Sequence, residues 1–405
     1  MEATKPATYR YPSDEINRDP YPFYRWCREH DPVHAIGDGR YLITRYHDIM
    51  AILHDPATYS NILTGYDLEE EVRCAAAEGM PIVPTIQAND PPGHDRYKRI
   101  VGRRFLPRAV TRYEAAIRAL VGRLIDGFPG SGEVDFIEDF ARPLPLQVVM
   151  MLLSLPDGDY PRLRGWSDGY LKLISQLSST SERVAGRRCL NDMQHYFEGQ
   201  LDERRGADDL IGEIAGAVGR DEVPLVGAVD MLCRDLVIAG NETTVFLLAN
   251  AMATMLTQTG LARSVREDPA RIPRLLEESL RFESPSQHLR RVVTRDVVLH
   301  GTAIPAGSTL LLMWGSANRD AEVFGQAERF DLDREWPEPH LAFGRGIHFC
   351  LGAYIARLEG RVAFEELIRR SRSIQLDTAK TDLRQAGYDN FRAPKALHLR
   401  YDRER

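Results

Sequence analysis

The chain has 405 residues, of which 43% are hydrophobic and 27% are charged, a composition typical of a globular protein with a large core. Its formal net charge of -7 argues against a nucleic-acid-binding protein, because such proteins are more often basic. The five cysteines include no Cys-x-x-Cys pair, which argues against a disulfide framework or a tetrathiolate zinc site and predicts reduced thiols in a cytoplasmic protein.

The sequence carries no membrane or secretion signal that we recognise. The first residues are polar and dotted with proline, without a signal peptide or an anchor. The longest apolar run, VFLLANAMATML, is shorter than the ~20 residues that a bilayer-spanning helix needs. Only 5 of the 52 basic residues are lysine, a bias that indicates a GC-rich bacterial genome. We therefore expect a cytoplasmic bacterial monomer that binds neither a membrane nor nucleic acid.

The predicted elements follow one another without repeats or long linkers. Residues 40–55 predict a short strand followed by a helix, and HDRYKRIVGRRF, which begins at His94 after the turn signal NDPP, predicts a basic helix. Helical periodicity recurs to about residue 280. The segments VVTRDVVLHGTAIPAGSTLLLMW and FRAPKALHLRYDR predict strands, and a helix follows Cys350 between them. The pattern predicts a mostly α protein with a minor β portion, in a single domain over residues 1–405.

A glycine-rich loop, HLAFGRGIHFCLGAY at residues 340–354, surrounds Cys350 directly before that helix. A thiolate is a soft iron ligand, and the free backbone N–H groups of a helix N-terminus stabilise it. The glycines permit a tight turn with positive φ, Phe343 is placed to cover the sulfur, and His348 is placed to donate to a cofactor carboxylate. Gly352 leaves room for a flat macrocycle. A lone cysteine here would more often be a buried structural thiol, but the whole group of residues favours a haem ligand.

The second motif is LVIAGNETTVFLLANAM, within a predicted helix from Val223 to Met255 that would be ~48 Å long. Polar residues interrupt its apolar sequence, and burying them unpaired costs about 1–3 kcal/mol each. One interpretation is structural, with a hydroxyl that bonds back to a carbonyl one turn earlier and Glu242 reaching a surface cation. The other is a distortion beside a ligand, with a groove at Ala239 and Gly240, an alcohol at Thr243 and an acid at Glu242 that supplies protons.

The third motif is EESLR, in which Glu278 and Arg281 lie three residues apart on one face of a helix. Such pairs are common and contribute little when they are exposed. We expect this pair to belong to the structural core, with Arg329 of ERFDLDR completing a charge network near the cysteine loop.

Together these motifs resemble the cytochrome P450 family, the haem-thiolate monooxygenases. FGRGIHFCLG matches the family pattern Phe-x-x-Gly-x-x-x-Cys-x-Gly at Phe343, Gly346, Cys350 and Gly352. AGNETT matches the pattern Ala-Gly-x-Asp/Glu-Thr-Thr, EESLR matches Glu-x-x-Arg, and NDPPGHDRYK is similar to a segment of the soluble bacterial members. The resemblance extends over residues 10–402 and implies the family fold, a triangular-prism helical domain around a haem with a long central helix.

The resemblance also implies the roles of single residues. Cys350 would be the iron ligand of haem b, and Glu242 and Thr243 would deliver protons to dioxygen. Lys98 stands where the family usually has an arginine, and a lysine can neutralise a haem propionate without the two-pronged contact of arginine. The implied haem-binding residues are His94, Lys98, Ala239, Gly240, Arg291, Phe343, His348, Cys350 and Gly352. The expected substrate pocket comprises Ile86, Ile238, Ala239, Thr243, Gln287, His288, Leu289 and Phe391, with the region around GYLKLISQLSST.

The implied reaction inserts one oxygen atom into a small apolar molecule, with hydroxylation expected first and epoxidation or dealkylation as variants. No flavin or iron–sulfur domain is recognisable, so we expect electrons to pass from NAD(P)H through a ferredoxin reductase and a ferredoxin. Such donors are usually acidic, and Arg103, Arg104, Arg345 and Arg357 form a candidate basic dock, unless they are merely solvated. Two alternatives remain: a peroxide-driven peroxygenase, and a haem-based sensor or ligand carrier, neither of which needs the Glu242–Thr243 pair.

Overall fold

The computed structural model describes residues 11–62, 69–175, 177–385 and 390–404, and most of them are helical. In chain order the α-helices are α1 Asp14–Arg18, α2 Tyr21–His30, α3 Tyr46–His54, α4 Glu70–Ala77, α5 Gly93–Val101, α6 Pro107–Val110, α7 Glu114–Asp126, α8 Pro143–Leu152, α9 Tyr160–Ile174, α10 Thr180–Glu203, α11 Leu210–Gly219, α12 Leu225–Asp230, α13 Ala239–Thr257, α14 Leu261–Glu267, α15 Ile272–Phe282, α16 Trp314–Ala317 and α17 Ala353–Arg370. The prediction of a mostly α protein is confirmed.

The minor β portion is divided among small sheets. The strands are β1 Val33–Gly37, β2 Arg40–Ile43, β3 Tyr59–Ser60, β4 Ser131–Asp135, β5 Leu289–Val293, β6 Val297–Leu299, β7 Thr302–Ile304, β8 Thr309–Leu312, β9 Ser371–Leu376, β10 Asp382–Gln385, β11 Pro394–Ala396 and β12 His398–Arg403. The largest sheet has the order β1-β2-β8-β5-β3, in which β2 and β8 are parallel. In β5, Arg291 pairs with Leu310 of β8, and this register fixes where the arginine leaves the sheet.

A central helix runs without interruption from Leu225 to Thr257 through the largest hydrophobic core. The sequence predicts it from residue 223 to residue 255, so both ends lie two residues further along the chain. Its middle, Met231–Ile238, is π-helical, which the sequence did not indicate. Among the described helices it alone is long and apolar enough to cross a membrane, and 78% of its most apolar 18-residue window is buried inside the protein. It is therefore the core helix of this fold.

Other predicted elements are also found. The strand and helix of residues 40–55 are β2 and α3, and the basic helix is α5, followed by a turn of 3₁₀-helix at Gly102–Phe105. The IPAG turn connects β7 to β8, and FRAPKALHLRYDR contains β11 and β12. The helix after the cysteine loop is α17, and it packs against α7 and α15 in the core.

A buried charge network lies at the end of α15. Glu278 and Arg281 are both fully buried and joined by two hydrogen bonds of 2.8 and 2.7 Å. The expectation that Arg329 completes this network is wrong, because its side chain is exposed and only its backbone oxygen accepts from Arg281. The third member is Arg334, whose Nε lies 3.1 Å from both oxygens of Glu278.

This network predicts different effects for two arginines five residues apart. We expect Arg334→Ala to lower the free energy of unfolding by about 3 kcal/mol, because it leaves part of a buried carboxylate charge uncompensated. Arg329→Ala is the matched control and should change stability by less than about 0.5 kcal/mol, as exposed substitutions usually do. Urea unfolding of both variants measures the difference, and equal losses would contradict the network.

Candidate active site

The cysteine loop is shaped by two glycines with left-handed backbone. Gly344 has φ of 63° and Gly346 has φ of 71°, conformations that side chains rarely adopt. A Cβ at Gly346 would lie 2.9 Å from the backbone oxygen of Leu53, so the position also lacks space. The turn brings the Cys350 amide 2.9 Å from the oxygen of Phe343, which closes the loop.

The thiol of Cys350 lies deep inside the protein but is accessible from an internal cavity. Burial raises the pKa of this thiol, and the backbone N–H groups of Gly352 and Ala353, with the charge of Arg357, act in the opposite direction. Gly352 has ordinary φ, and a Cβ there would meet its nearest protein atom only at 3.7 Å. Protein packing therefore does not require glycine at 352, whereas a ligand in the cavity would.

Phe343 lines the same cavity and is held from behind by an ion-paired arginine. The Arg357 guanidinium lies 4.5 Å from the Phe343 ring centroid and makes hydrogen bonds of 2.6 and 2.9 Å to Glu277. His340 also approaches Glu277, at 3.1 Å. Although burial opposes ionisation, the Arg357 and His340 contacts lower the pKa of Glu277 to about 2. The Phe343 ring thus packs against an arginine that a charged Glu277 holds in place.

A cavity of about 370 Å³ brings most of the predicted site residues together. Its volume lies within the range of small-molecule and cofactor sites. The predicted residues that line it are Ile86, His94, Lys98, Ile238, Ala239, Gly240, Glu242, Thr243, His288, Leu289, Arg291, Phe343, His348, Cys350, Gly352 and Phe391.

One end of the cavity carries two cationic groups and two imidazole groups, and each imidazole has a nitrogen without a partner. His94 and His348 pack ring to ring at 4.5 Å, and the buried Nε2 of each has no hydrogen-bond partner. Burial, assisted by the neighbouring cations, lowers the pKa of His348 to about 3. Burial also lowers the pKa of Lys98, whose amine donates to the backbone oxygen of Ile347. Unused donors converge here, and such groups suit an anionic ligand.

Arg291 belongs to the same group. It is 5% exposed, and burial lowers its pKa to about 10. Within the described ranges no carboxylate forms an ion pair with it; its guanidinium donates to Asn61 Oδ1 at 2.7 Å. Asn61, which the sequence analysis missed, also contacts the backbone oxygen of Gln87 and lies 3.4 Å from His348 Nδ1. No sequence motif marks Asn61, since its role depends on three segments that meet only in the fold.

On the central helix, Glu242 and Thr243 adjoin the cavity and also make the contacts of the structural interpretation. The Thr243 hydroxyl donates to the backbone oxygen of Ala239 at 3.1 Å. Glu242 is 2% exposed, accepts from Asn241 at 3.0 Å and lies 3.9 Å from Nη1 of Arg142. Burial raises the pKa of Glu242 to about 7, and Arg142 limits the rise. The carboxyl is therefore poised to gain or lose a proton near neutral pH.

Helix packing explains one further residue of this motif. A Cβ at Gly240 would lie 2.9 Å from Cγ2 of Val149 in α8, so glycine lets the two helices approach. Gly240 and Ala239 also line the cavity, as expected for a groove.

The predicted substrate pocket needs one correction. Gln287 does not line the cavity; its side chain donates to the backbone oxygen of Ser284 at 2.7 Å and accepts from the hydroxyl of Tyr24 at 3.3 Å. Its neighbours Ser286 and His288 do line the cavity. Within GYLKLISQLSST, residues 170, 171 and 174 line the cavity, and Gln176 lies outside the described residues.

Two acidic residues of the cavity wall were not anticipated. Glu359 of α17 is 1% exposed, its Oε2 has no hydrogen-bond partner, and burial raises its pKa well above the usual value. Asp235 of the π-helical segment accepts hydrogen bonds from the backbone amides of Ile86 and Gln87. From the sequence alone, each would be expected to be an exposed acidic residue on the surface of a helix.

Two of the four arginines of the candidate basic dock are neutralised by ion pairs. Arg104 forms an ion pair of 2.7 Å with Glu213, and Arg357 forms one with Glu277. Arg345, in the cysteine loop, lines the cavity, and its Nε is buried. Of the four arginines, Arg103 alone is exposed and without an ion pair to a described residue.

Comparison with known proteins agrees with this architecture. The cytochrome P450 family profile matches residues 226–385. A putative cytochrome P450 of Bacillus subtilis is 32% identical over 86% of each chain, and the vitamin D(3) 25-hydroxylase of Pseudonocardia autotrophica is 34% identical over 86% of each. The haem domain of a Tepidiphilus thermophilus P450 superposes with a TM-score of 0.88 at 30% identity, over 96% of this chain and 95% of that one. The chain therefore belongs to the cytochrome P450 family of haem monooxygenases.

Proposed function

We propose that this chain binds haem b in the cavity, with Cys350 as the iron ligand, and inserts one atom of dioxygen into a small apolar substrate, chiefly by hydroxylation. The observation that carries the proposal is that one cavity is lined by the Cys350 thiol, by two cations that form no ion pair with a described residue and by the Glu242–Thr243 pair. One relative, the vitamin D(3) 25-hydroxylase of Pseudonocardia autotrophica, supports hydroxylation as the main outcome.

The unmatched donors fit the two propionates of haem. His94 and His348 each keep one buried ring nitrogen without an acceptor, and Arg291 and Lys98 supply positive charge that no described carboxylate neutralises through an ion pair. Buried polar groups are nearly always hydrogen-bonded in folded proteins, so two unpaired imidazole nitrogens beside two cations at one end of a cavity point to an anionic ligand. Lys98 would act as a point charge and Arg291 as the planar donor.

The environment of Cys350 supports a ligand thiolate. The helix N-terminus of α17 and the cation of Arg357 favour the charged form of a group that burial alone would keep protonated. Phe343 keeps water from the sulfur on the side where Arg357 supports the ring. When bound, thiolate-ligated haem supplies the activation of dioxygen.

Proton delivery is assigned to Glu242 and Thr243. Glu242 connects the cavity with the surface, because Arg142 lies 3.9 Å from its Oε2 and 3.1 Å from the half-exposed Asp168. An acid with a pKa of about 7 both holds and releases its proton at neutral pH, which suits proton transfer. The Thr243 hydroxyl faces the cavity and, since it can both donate and accept, passes protons onward.

Electrons are proposed to come from NAD(P)H through a separate ferredoxin reductase and ferredoxin. Arg96, Arg99 and Arg103 are exposed at three- and four-residue spacing along α5 and the turn that follows, and none forms an ion pair with a described residue. The opposite face of α5 carries His94 and Lys98 of the cavity. This arginine face replaces the earlier set of four arginines, two of which are neutralised by ion pairs, as the proposed docking surface for an acidic donor.

Replacing the proposed ligand tests the haem assignment. Cys350→Ser should abolish the strongly red-shifted carbon monoxide band of the reduced protein, because a serine oxygen is a harder and weaker donor to iron. The control Cys74→Ser removes an exposed thiol outside the cavity and should retain the band. Carbon monoxide difference spectra give the answer, and an unchanged band in Cys350→Ser would refute the assignment.

Removing the proposed alcohol tests proton delivery. We expect Thr243→Ala, with a surrogate ferredoxin and reductase, to raise hydrogen peroxide formed per NAD(P)H by roughly tenfold, since positioned proton transfer contributes at least that much. Thr257→Ala is a matched control, because Thr257 lies on the same helix and its hydroxyl also bonds back one turn, at 2.8 Å, but away from the cavity. A peroxide yield equal in both variants would count against Thr243.

The raised pKa of Glu242 predicts a pH-dependent stability difference. Between pH 4.5 and about 7 the unfolded chain loses this proton while the folded chain keeps it, so stability falls as the pH rises. Glu242→Gln removes this effect. The free energy of unfolding of the variant, relative to that of the parent, should therefore rise by about 3 kcal/mol across that pH window and stay constant above it. Denaturant unfolding of both proteins at pH 4 to 8.5 measures the gain. A difference that does not change with pH would show that Glu242 is not protonated in the folded state.

A further inference from the structure

The loop of residues 80–88 forms part of the cavity wall without secondary structure of its own. Ile86, Gln87 and Ala88 line the cavity, yet none of residues 80–88 makes a backbone–backbone hydrogen bond to another described residue. A segment of this kind takes its shape from contacts with neighbouring elements, and it opens easily when they are lost.

Side chains of the central helix hold this loop at two places, in addition to the contact of Asn61 with Gln87. Asp235 accepts from the backbone amide of Ile86 at 2.8 Å and from that of Gln87 at 3.3 Å. These two consecutive amides belong to the part of the loop that lines the cavity. Both oxygens of one carboxylate are thus used to hold the wall of the cavity on the helix.

A second contact lies nearly one and a half turns earlier on the helix. Asp230 accepts from the amide of Val83 at 3.2 Å, and Arg234 donates to the oxygen of Val83 at 3.0 Å. Asp230 and Arg234 also form a buried ion pair of 2.6 Å with each other. The charge of Asp230 is therefore balanced inside the protein.

Asp235 differs from Asp230 in this respect. It forms no ion pair within the described part of the chain, and its hydrogen bonds come from the loop. Asp235 is half-buried beside the cavity, where its charge is only partly solvated, and the two amide donors stabilise that charge only while the loop stays in place. The apolar residues that usually fill such a position would bury more favourably, but they would not hold the loop.

We propose that Asp235 is a specificity-determining positioning residue, which fixes the 80–88 loop on the central helix and thereby sets the place of Ile86 and the width of the cavity. The proposal rests on the proposed function, in which this cavity takes the substrate. Without the carboxylate the loop moves outward, Ile86 no longer limits the cavity, and discrimination against bulky molecules declines.

Amide hydrogen exchange of the holoprotein tests the anchor directly. In Asp235→Ala the amides of Ile86 and Gln87 should exchange faster than in the parent protein, on the order of tenfold. Asp235→Asn keeps one carbonyl acceptor, so its exchange rates should lie between those of the parent and those of Asp235→Ala. Asp377→Ala is the matched control: Asp377 is 2% exposed and accepts from the Ala379 amide at 3.1 Å, away from the cavity. It should leave exchange in residues 80–88 unchanged.

Azole binding, followed by the haem spectrum, tests the role in specificity. Imidazole is too small to need the loop, whereas clotrimazole is bulky. In Asp235→Ala the ratio of their dissociation constants should shift, relative to the parent protein, about threefold or more in favour of clotrimazole. The shift should be smaller in Asp235→Asn and absent in Asp377→Ala.

Two results would overturn the proposal: unchanged exchange at Ile86 and Gln87 in Asp235→Ala, or faster exchange with an unchanged azole ratio. Failure of the proposed function looks different. In that case the parent protein itself would give no azole spectrum, and the role in specificity would fall with the proposed function.

Discussion

Uncompensated positive charge inside the protein is the constraint on which the arrangement of the site depends. Arg291 is almost fully buried, and the nearby Lys98 is partly buried, yet within the described ranges neither has an ion-pair partner. Burying charges without partners costs several kcal/mol each, and a fold retains them only when a ligand repays that cost. Two histidines with an unused nitrogen point the same way. An anion bound at that end of the cavity would balance these charges.

The central helix connects this end of the cavity to the reactive groups. Its π-helical stretch, Met231–Ile238, precedes the cavity-lining turn at Ala239, and insertions of this kind are frequent at functional sites. The contacts of the structural interpretation are present, and the functional interpretation stays a prediction. Thr243 bonds back to Ala239 and Glu242 lies near Arg142, and these contacts hold both side chains beside the cavity. A side chain that is satisfied at rest is still available for proton transfer.

Local sequence predicted the elements and the cysteine loop, because periodicity and positive-φ glycines act over a few residues. It failed where the outcome depends on distant packing. Arg334, not Arg329, reaches Glu278, since the segment after Arg329 turns back over α15 in a way that spacing does not reveal. Gln287 turns away from the cavity because Ser284 and Tyr24 hold it elsewhere. Asn61 joins three segments and has no local signal at all. The single-domain organisation stays a prediction.

Three carboxyl groups line the same cavity, and their different surroundings suit them to different roles. Glu359 is buried without a partner for one oxygen, which favours its neutral form. Glu242 lies close enough to Arg142 that its pKa stops near 7, so both forms are accessible. Asp235 is held by two amides, and those donors oppose the effect of burial on its pKa. A proton carrier must exchange between forms, whereas an anchor must not. The partners of each group therefore support the proposed roles of Glu242 as the proton carrier and Asp235 as the anchor.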